Sequence, residues 1–434
     1  MSNPLIQAVR GMHDILPPDT HLWRHVERVF RNIAHGYGYQ EIRFPIVEKT
    51  ELFKRTIGED TEVVEKEMYT FEDKQDEYLT LRPEGTAGCV RAAIEHGQLL
   101  RQVQKLWYVG PFFRRERPQK GRCRQFHQCG AEVFGLAGPD IDAELILFSA
   151  RVLAKLGLKK DVTLQINSLG SPESRLAYRK ELVRYFTKHK SDLDEDSQRR
   201  LSGNPLRILD SKNPDLKELI AKAPVLLDHL DNDSKIHFRR LREYLDYTGL
   251  NYEVNSHLVR GLDYYTRTVF EWVTSKLGAQ GTVLAGGRYD GLIKQLGGKE
   301  TPALGFAMGL ERVVLLMQQQ GQESTGSTIM HAYFITDGDE AFQLALRLTD
   351  KLRDQVSGIR IILHCGGGNL SNQFKKADKS GAHLAIVLGE NELKTHTLTI
   401  KPLRENVPQQ SIHQLEIAEY LKLRIRGIMA KKQK

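Results

Sequence analysis

The segment RRERPQKGRCR (114–124) packs five Arg, one Lys and one Glu into eleven residues. Arginine suits phosphate recognition because its planar fork sets two parallel hydrogen bonds on phosphate oxygens. Pro118 and Gly121 favour a turn, and apolar runs flank the segment on both sides. It therefore reads as the tip of a long hairpin, either a clamp for polyphosphate or RNA or a solvated charged loop. Arg114 stands at the junction of strand and loop, where a side chain is held rigidly and can face a pocket. Upstream, RPEGT (82–86) puts the Glu84 carboxylate and the Thr86 hydroxyl at a strand end, as a grip for an ammonium group or as a plain turn. Downstream, Gln128 and Glu132 lie four apart on a strand, on the face that carries Phe126. Polar groups on a buried sheet face need partners, so this face is a ligand pocket or else turns outward to solvent. VRGLDYYTRTVFEW adds Arg260, Asp263, Tyr264 and Tyr265 within six positions. If the strand begins there, the two tyrosines point to opposite faces. The glycines of AGGRYDG (285–291) permit a close ligand or mark a bulge. Arg312 follows glycines near a helix start, fit for phosphate binding or for a surface ion pair.

Two kinds of element must position these groups. Pro17 and Pro18 precede a helix over 20–35, in which Leu22, Val26, Val29, Phe30 and Ile33 recur at helical spacing. QEIRFPIVEK (40–49) alternates like a strand, with Pro45 marking an edge or an end. Further strands are expected at 78–81, 105–113, 125–135, 260–275 and 281–292. Helices are expected at 140–157 and 305–320. Residues of about 170–255 are rich in charge and helical in period, which makes them a helical insertion in an antiparallel-sheet core. QQQGQESTGST (318–328) reads as a linker. Beyond it, HAYFIT, AFQLALRLTDKLRDQ, IRIILHC, SNQFKKADKSG and HLAIVLG alternate strand and helix as a small α/β domain. The glycines of HCGGGN (364–369) match neither phosphate-loop fingerprint and read as a tight turn.

Composition narrows the class. The 434 residues, 40% of them hydrophobic, can fill more than one core, and no apolar run approaches the ~18 residues of a membrane span. The start MSNPLIQAVRGMHDILPP has no apolar h-region, so a chain without a secretory signal and a cytoplasmic location are expected. A net charge of +8 is mild for this length and informative only where it clusters, at 114–124 and at the C-terminus. Four scattered cysteines make no disulfide framework, and Cys123, His127 and Cys129 lack zinc spacing, so no metal is expected.

Taken in order, RGMHDILPP, TLRPEGTA, GPFFRRERPQKGRCRQFHQCGAEVFG, LVRGLDYYTRTVFEW, AGGRYDGL and ALGFAMGLERV closely resemble histidyl-tRNA synthetases of the bacterial type. GGGNLSNQFKKADKSGAHLAIVLGENEL resembles that family's anticodon-binding domain. The resemblance covers the chain to about residue 425 and implies an α+β class II synthetase. Its catalytic domain would span 1–325, and an anticodon-binding α/β domain with a basic tail would span 326–434. It implies a cytoplasmic homodimer that joins L-histidine to tRNA(His) through a histidyl-adenylate, using ATP with Mg2+ as substrate and no tightly bound cofactor. Arg114 and Arg260 would be catalytic. Histidine would be held by Glu84, Gly85, Thr86, Arg114, Gln128, Glu132, Arg260, Tyr264 and Tyr265. Glu84, Thr86 and Gln128 would take the amino group, and Glu132 and Tyr265 the imidazole. ATP would be bound by Arg114, Glu116, Arg122, Phe126 and Arg312. Cys123 stands where the family commonly has an aromatic residue. A histidine-sensing paralogue would typically lose the anticodon domain and the catalytic arginines, which this chain keeps. A non-catalytic RNA-binding protein would not need Glu84, Gln128, Glu132 and Arg260 together. A class II synthetase of another amino-acid specificity is a fainter third reading.

Overall fold

In the computed structural model the chain divides into two compact units, Met1–Thr325 and Gly326–Lys434. The structure describes every residue outside 1–4, 18, 59, 60, 62, 101, 102, 210, 212, 279, 280, 323–329 and 432–434. Pro18, most of the expected linker and the last three residues of the basic tail thus lie outside the described residues.

An eight-stranded sheet organises the first unit. Its order is Gln40–Glu41, Gln104–Phe113, Gln125–Phe134, Ala303–Gly309, Thr282–Arg288, Thr266–Val273, Thr163–Ser168 and Glu253–Val254. All inner neighbours run antiparallel, and only the two short edge strands pair parallel. The hairpin Gln104–Phe113/Gln125–Phe134 pairs over its full ten residues, from Gln104 opposite Phe134 to Phe113 opposite Gln125. Its return strand shows why the sheet has a working face. Cys129, Ala131 and Val133 enter one core, whereas Phe126 and Phe134 pack on the opposite side, as the two-residue period requires.

The first core lies under four helices, Thr20–Gly36, Pro139–Lys155, Asn232–Tyr247 and Leu310–Gln319. Leu22, Val26, Phe30 and Ala34 form the buried stripe of the first of them, at four-residue spacing. The span 170–255 divides. The helices Pro172–Lys188 and Glu195–Ser202 and the turns after them share the second core through Tyr178, Leu182, Phe186 and Ile208. The helix Asn232–Tyr247 instead sends Phe238, Leu241 and Leu245 into the first.

Three local expectations are corrected. QEIRFPIVEK is not one strand, because the chain leaves the large sheet after Glu41. It rejoins strand pairing at Val47–Lys49, in a separate three-stranded sheet beyond Pro45. GFAMG (305–309) belongs to the strand Ala303–Gly309 and the helix starts only at Leu310, because an unbroken apolar run conceals the change of period. RGLDYY is a turn, with the strand beginning at Thr266.

A buried ion pair fastens sheet to helix. Arg288 and Asp142 are both essentially inaccessible and meet through two nitrogens, at 2.9 Å from Nε and 2.6 Å from Nη2. The arginine also donates to the carbonyls of Leu136 and Gly138, and His237 contacts Asp142 at 3.2 Å. Burial alone would raise the Asp142 pKa, but Arg288 and His237 hold it below its ordinary value. Arg288→Met is expected to lower unfolding free energy by about 3–5 kcal/mol, because it strands the carboxylate. Denaturant midpoints unchanged from the parent chain would contradict that role.

The second unit carries a five-stranded sheet ordered Ile361–Leu363, Ala332–Thr336, Leu384–Leu388, Thr397–Pro402 and Gln410–His413. The first three strands run parallel and the last two antiparallel, a hairpin extension that the strand–helix alternation does not foretell. HCGGGN forms a turn in which Gly366, Gly367 and Gly368 all take positive φ, at +96°, +64° and +98°. The basic C-terminal segment enters the helix Ile417–Lys431.

Candidate active site

On the working face of the large sheet lies a cavity of about 480 Å³. It is lined by Glu84, Gly85, Thr86, Arg114, Glu116, Arg122, Phe126, Gln128, Arg260, Tyr264, Tyr265 and Arg312. Twelve of the thirteen residues expected from the sequence therefore converge. The thirteenth, Glu132, lies behind the wall, fully buried.

At one end, the turn after strand Tyr78–Leu81 leads into the helix Thr86–Glu95. The Glu84 carboxylate accepts the Thr86 and Ala87 backbone N–H groups, each at 2.8 Å, and so satisfies the helix start. Burial nevertheless raises its pKa, against those two bonds and the pull of Arg114. Gln128 reaches the same cavity from the hairpin, and its Oε1 is buried with no hydrogen-bond partner among the described residues. A buried acceptor left open at a cavity wall is a place for a ligand donor.

Behind this wall the Glu132 carboxylate accepts hydroxyl bonds from Thr86 at 2.8 Å and Tyr108 at 3.0 Å, and a third from Tyr289. The room for it comes from missing side chains. A β-carbon at Gly305 would collide with the Glu132 carboxylate, and one at Gly85 or Gly130 with the Tyr108 ring. Burial pushes the Glu132 pKa from 4.5 up to about 8, even though the hydroxyl donors pull it down. Tyr264 and Tyr265 both line the cavity because they sit in a turn and not in a strand, and burial raises the pKa of both phenols.

The other end is cationic. Arg114 donates from Nε to the Pro83 carbonyl at 2.8 Å and lies 5.5 Å from the Phe126 ring centre. Glu116, nearly buried, pairs with Arg122 and lies 3.8 Å from Arg114. Arg312 is tied by Nε to the Gly121 carbonyl at 3.2 Å and also donates to the Thr282 carbonyl. Burial first, and Arg122 next, lower its pKa. Arg260 pairs with Glu271 and sits 5.4 Å from the Tyr265 ring centre. Burial would lower the guanidinium pKa, but Glu271 holds it above its ordinary value.

Sequence reasoning missed Glu271 and Glu311. Glu271 binds Arg260 and accepts the Thr282 hydroxyl at 2.9 Å. Its signal was a lone charge in the apolar run TVFEWV. Glu311 receives the His127 backbone N–H at 2.9 Å and contacts its ring at 3.1 Å, which ties the helix start to the hairpin. The paired glycines of AGGRYDG serve packing and not a ligand. The neighbouring strand's Gly305 carbonyl crowds Gly286, and the register shifts between Gly287 and Arg288. No helix among the described residues is long and apolar enough to cross a membrane.

A cavity with an acidic, tyrosine-walled end and an arginine-rich end suits an amino acid beside a polyphosphate. Comparison with known proteins agrees. Residues 11–313 match the family model described as histidyl-tRNA synthetase, and residues 329–424 match that of the anticodon binding domain. The chain is similar to the apo histidyl-tRNA synthetase of S. aureus at 35% identity. That match covers 96% of this chain and 100% of that one, with a TM-score of 0.80. The histidyl-tRNA synthetase of Nostoc sp. PCC 7120 shares the fold at 19% identity, over 97% of this chain and 100% of that one, with a TM-score of 0.67. So does an ATP phosphoribosyltransferase regulatory subunit/histidyl-tRNA synthetase from Bacillus halodurans, at 21% identity, over 89% and 99%, with a TM-score of 0.64. With both domains matched in order and the class II sheet in place, this chain belongs to the histidyl-tRNA synthetase family.

Proposed function

We propose that this histidine–tRNA ligase works in two steps at the cavity just described. A carboxylate oxygen of histidine attacks the α-phosphorus of ATP. The new P–O bond forms as the bond to the β-phosphate oxygen breaks, giving histidyl-adenylate and pyrophosphate. The terminal ribose 3′-hydroxyl of tRNA(His) then attacks the acyl carbon, AMP departs and the hydroxyl proton is released. Such chemistry rests on positioning and charge neutralisation.

The single observation behind this reading is the convergence of Arg114, Arg260 and Arg312 on one cavity with Glu84, Thr86 and the unpartnered Gln128. In it, Arg114 and Arg260 flank the α-phosphate, Arg312 takes the γ-phosphate, and Phe126 stacks on adenine with Glu116 and Arg122 around the nucleotide. Glu84, Thr86 and Gln128, beside Gly85, hold the amino group. Tyr265 and Glu132 read the imidazole, with Tyr264 packed against Tyr265 at 4.7 Å between ring centres. Magnesium enters as the counter-ion of ATP. A homodimer built through the helix Thr20–Gly36 and the segment after it completes the proposal.

The test is amino-acid-dependent ATP–pyrophosphate exchange without tRNA. Exchange with histidine and none with the other amino acids is the expected result. Histidine binding without any exchange would sink the catalytic roles of Arg114 and Arg260.

A further inference from the structure

Among residues 5–17, Gly11 alone is buried. A turn closed by the Met12 N–H on the Val9 carbonyl, at 2.9 Å, presents it to the tip loop 114–124. The Gly11 carbonyl accepts the Arg124 N–H at 2.7 Å and the Gln125 N–H at 3.4 Å. Its φ is +86°, and a β-carbon there would lie 2.9 Å from Pro118 Cγ and 3.0 Å from Arg124 Cγ. On the other flank, the Arg115 N–H donates to the Glu67 carbonyl at 2.6 Å. Within itself the loop is paired at its mouth, where the Arg114 N–H donates to the Arg124 carbonyl at 2.9 Å, and at its tip, by the isolated bridge Gln119 to Arg122, with Glu116 between them bonded to Arg122 and Arg124. These contacts fix the loop's own shape, and its position relative to the rest of the unit is set by what docks on its two flanks.

We infer that Gly11 is a positioning residue for this loop: the turn at 9–12 clasps its base, so that Glu116 and Arg122 face the cavity. The inference rests on the nucleotide reading given above, and only a residue with neither side chain nor left-handed penalty fits the clasp.

Cys123 provides a reporter that does not depend on turnover. It lines the cavity within the loop, whereas Cys89 and Cys129 are buried and Cys365 belongs to the other unit. The experiment alkylates the full-length chain with iodoacetamide, with and without ATP, locating the label by mass spectrometry. It also measures KM for ATP and for histidine in pyrophosphate exchange. Gly11→Ala is expected to speed Cys123 labelling and raise KM for ATP by about tenfold each, the factor a left-handed alanine's strain corresponds to. KM for histidine should hold. The double variant Gly11→Ala/Pro118→Ala, which removes the ring atoms that a β-carbon at Gly11 would meet and leaves the Arg124 contact and the left-handed φ, should move both readouts in the same direction by less. Melting curves confirm that both variants are folded. Parent-like labelling and KM in both variants would overturn the clasp, as would equal rises in both KM values. ATP failing to protect Cys123 in the parent chain would instead sink the nucleotide reading and leave the clasp standing on the labelling rates.

Discussion

Arg260→Ala is expected to lower the rate of histidine-dependent pyrophosphate exchange by about 10²–10³-fold, the usual loss for one preorganised electrostatic stabiliser. The proposed transition state carries more negative charge at the α-phosphorus than either substrate does, so a fixed cation there acts mainly on kcat. The structure prepares such a cation. Arg260 is held by Glu271 on the adjoining strand and laid against the Tyr265 ring, so little reorganisation is needed when ATP arrives. Glu271 in turn accepts the Thr282 hydroxyl, which limits where the guanidinium can move. Arg260→Lys should recover only part of the rate, because an ammonium keeps the charge and loses the fork. A near-parent rate for Arg260→Ala in a folded enzyme would remove this residue from the mechanism.

Glu132→Gln is expected to lower kcat/KM for histidine by about 10²-fold while KM for ATP stays close to the parent value. That is the scale of leaving a buried polar partner without its hydrogen bond, about 1–3 kcal/mol. Three hydroxyls from Thr86, Tyr108 and Tyr289 aim at this carboxylate, and an amide nitrogen among three donors cannot satisfy them all. Equal losses for histidine and ATP would contradict the assignment to the imidazole end. The same variant has a pH signature. The folded-state pKa is raised from 4.5 to about 8, so the folded chain holds a proton that the unfolded chain has released across that window. Glu132 thus contributes stability that is fully present below pH 4.5 and lost as pH rises through about 8. Between about pH 6 and about pH 9, the melting temperature of Glu132→Gln should fall less than that of the parent chain. Parallel curves would show that the carboxyl is not perturbed in this way.

Much of this architecture was legible in the residues. The helix Thr20–Gly36 declares itself through its apolar stripe. The hairpin around 114–124 does so through two apolar strands broken by Pro, Gly and charge. In both cases a local period maps directly onto one buried face. The strand Ala303–Gly309 and its helix read as one element, because strand and helix are both buried there and no polar residue marks the change. The two tyrosines of RGLDYY face the same cavity because the strand begins at Thr266, six residues later than its β-rich composition implies.

What the sequence by itself determined is the inventory: which polar groups stand on which strand face, where the basic loop lies, and which family's order of motifs the chain follows. Only the tertiary structure decided which of those groups meet. Arg288 reaches Asp142 across 146 positions, Glu311 reaches His127 across 184, and Glu132 finds its three hydroxyls on a helix start and two other strands or turns. No local period encodes such pairs. They form because a polar group carried into a sheet core by the burial of its apolar neighbours must find a partner there, and only the closed sheet sets which partner is within reach.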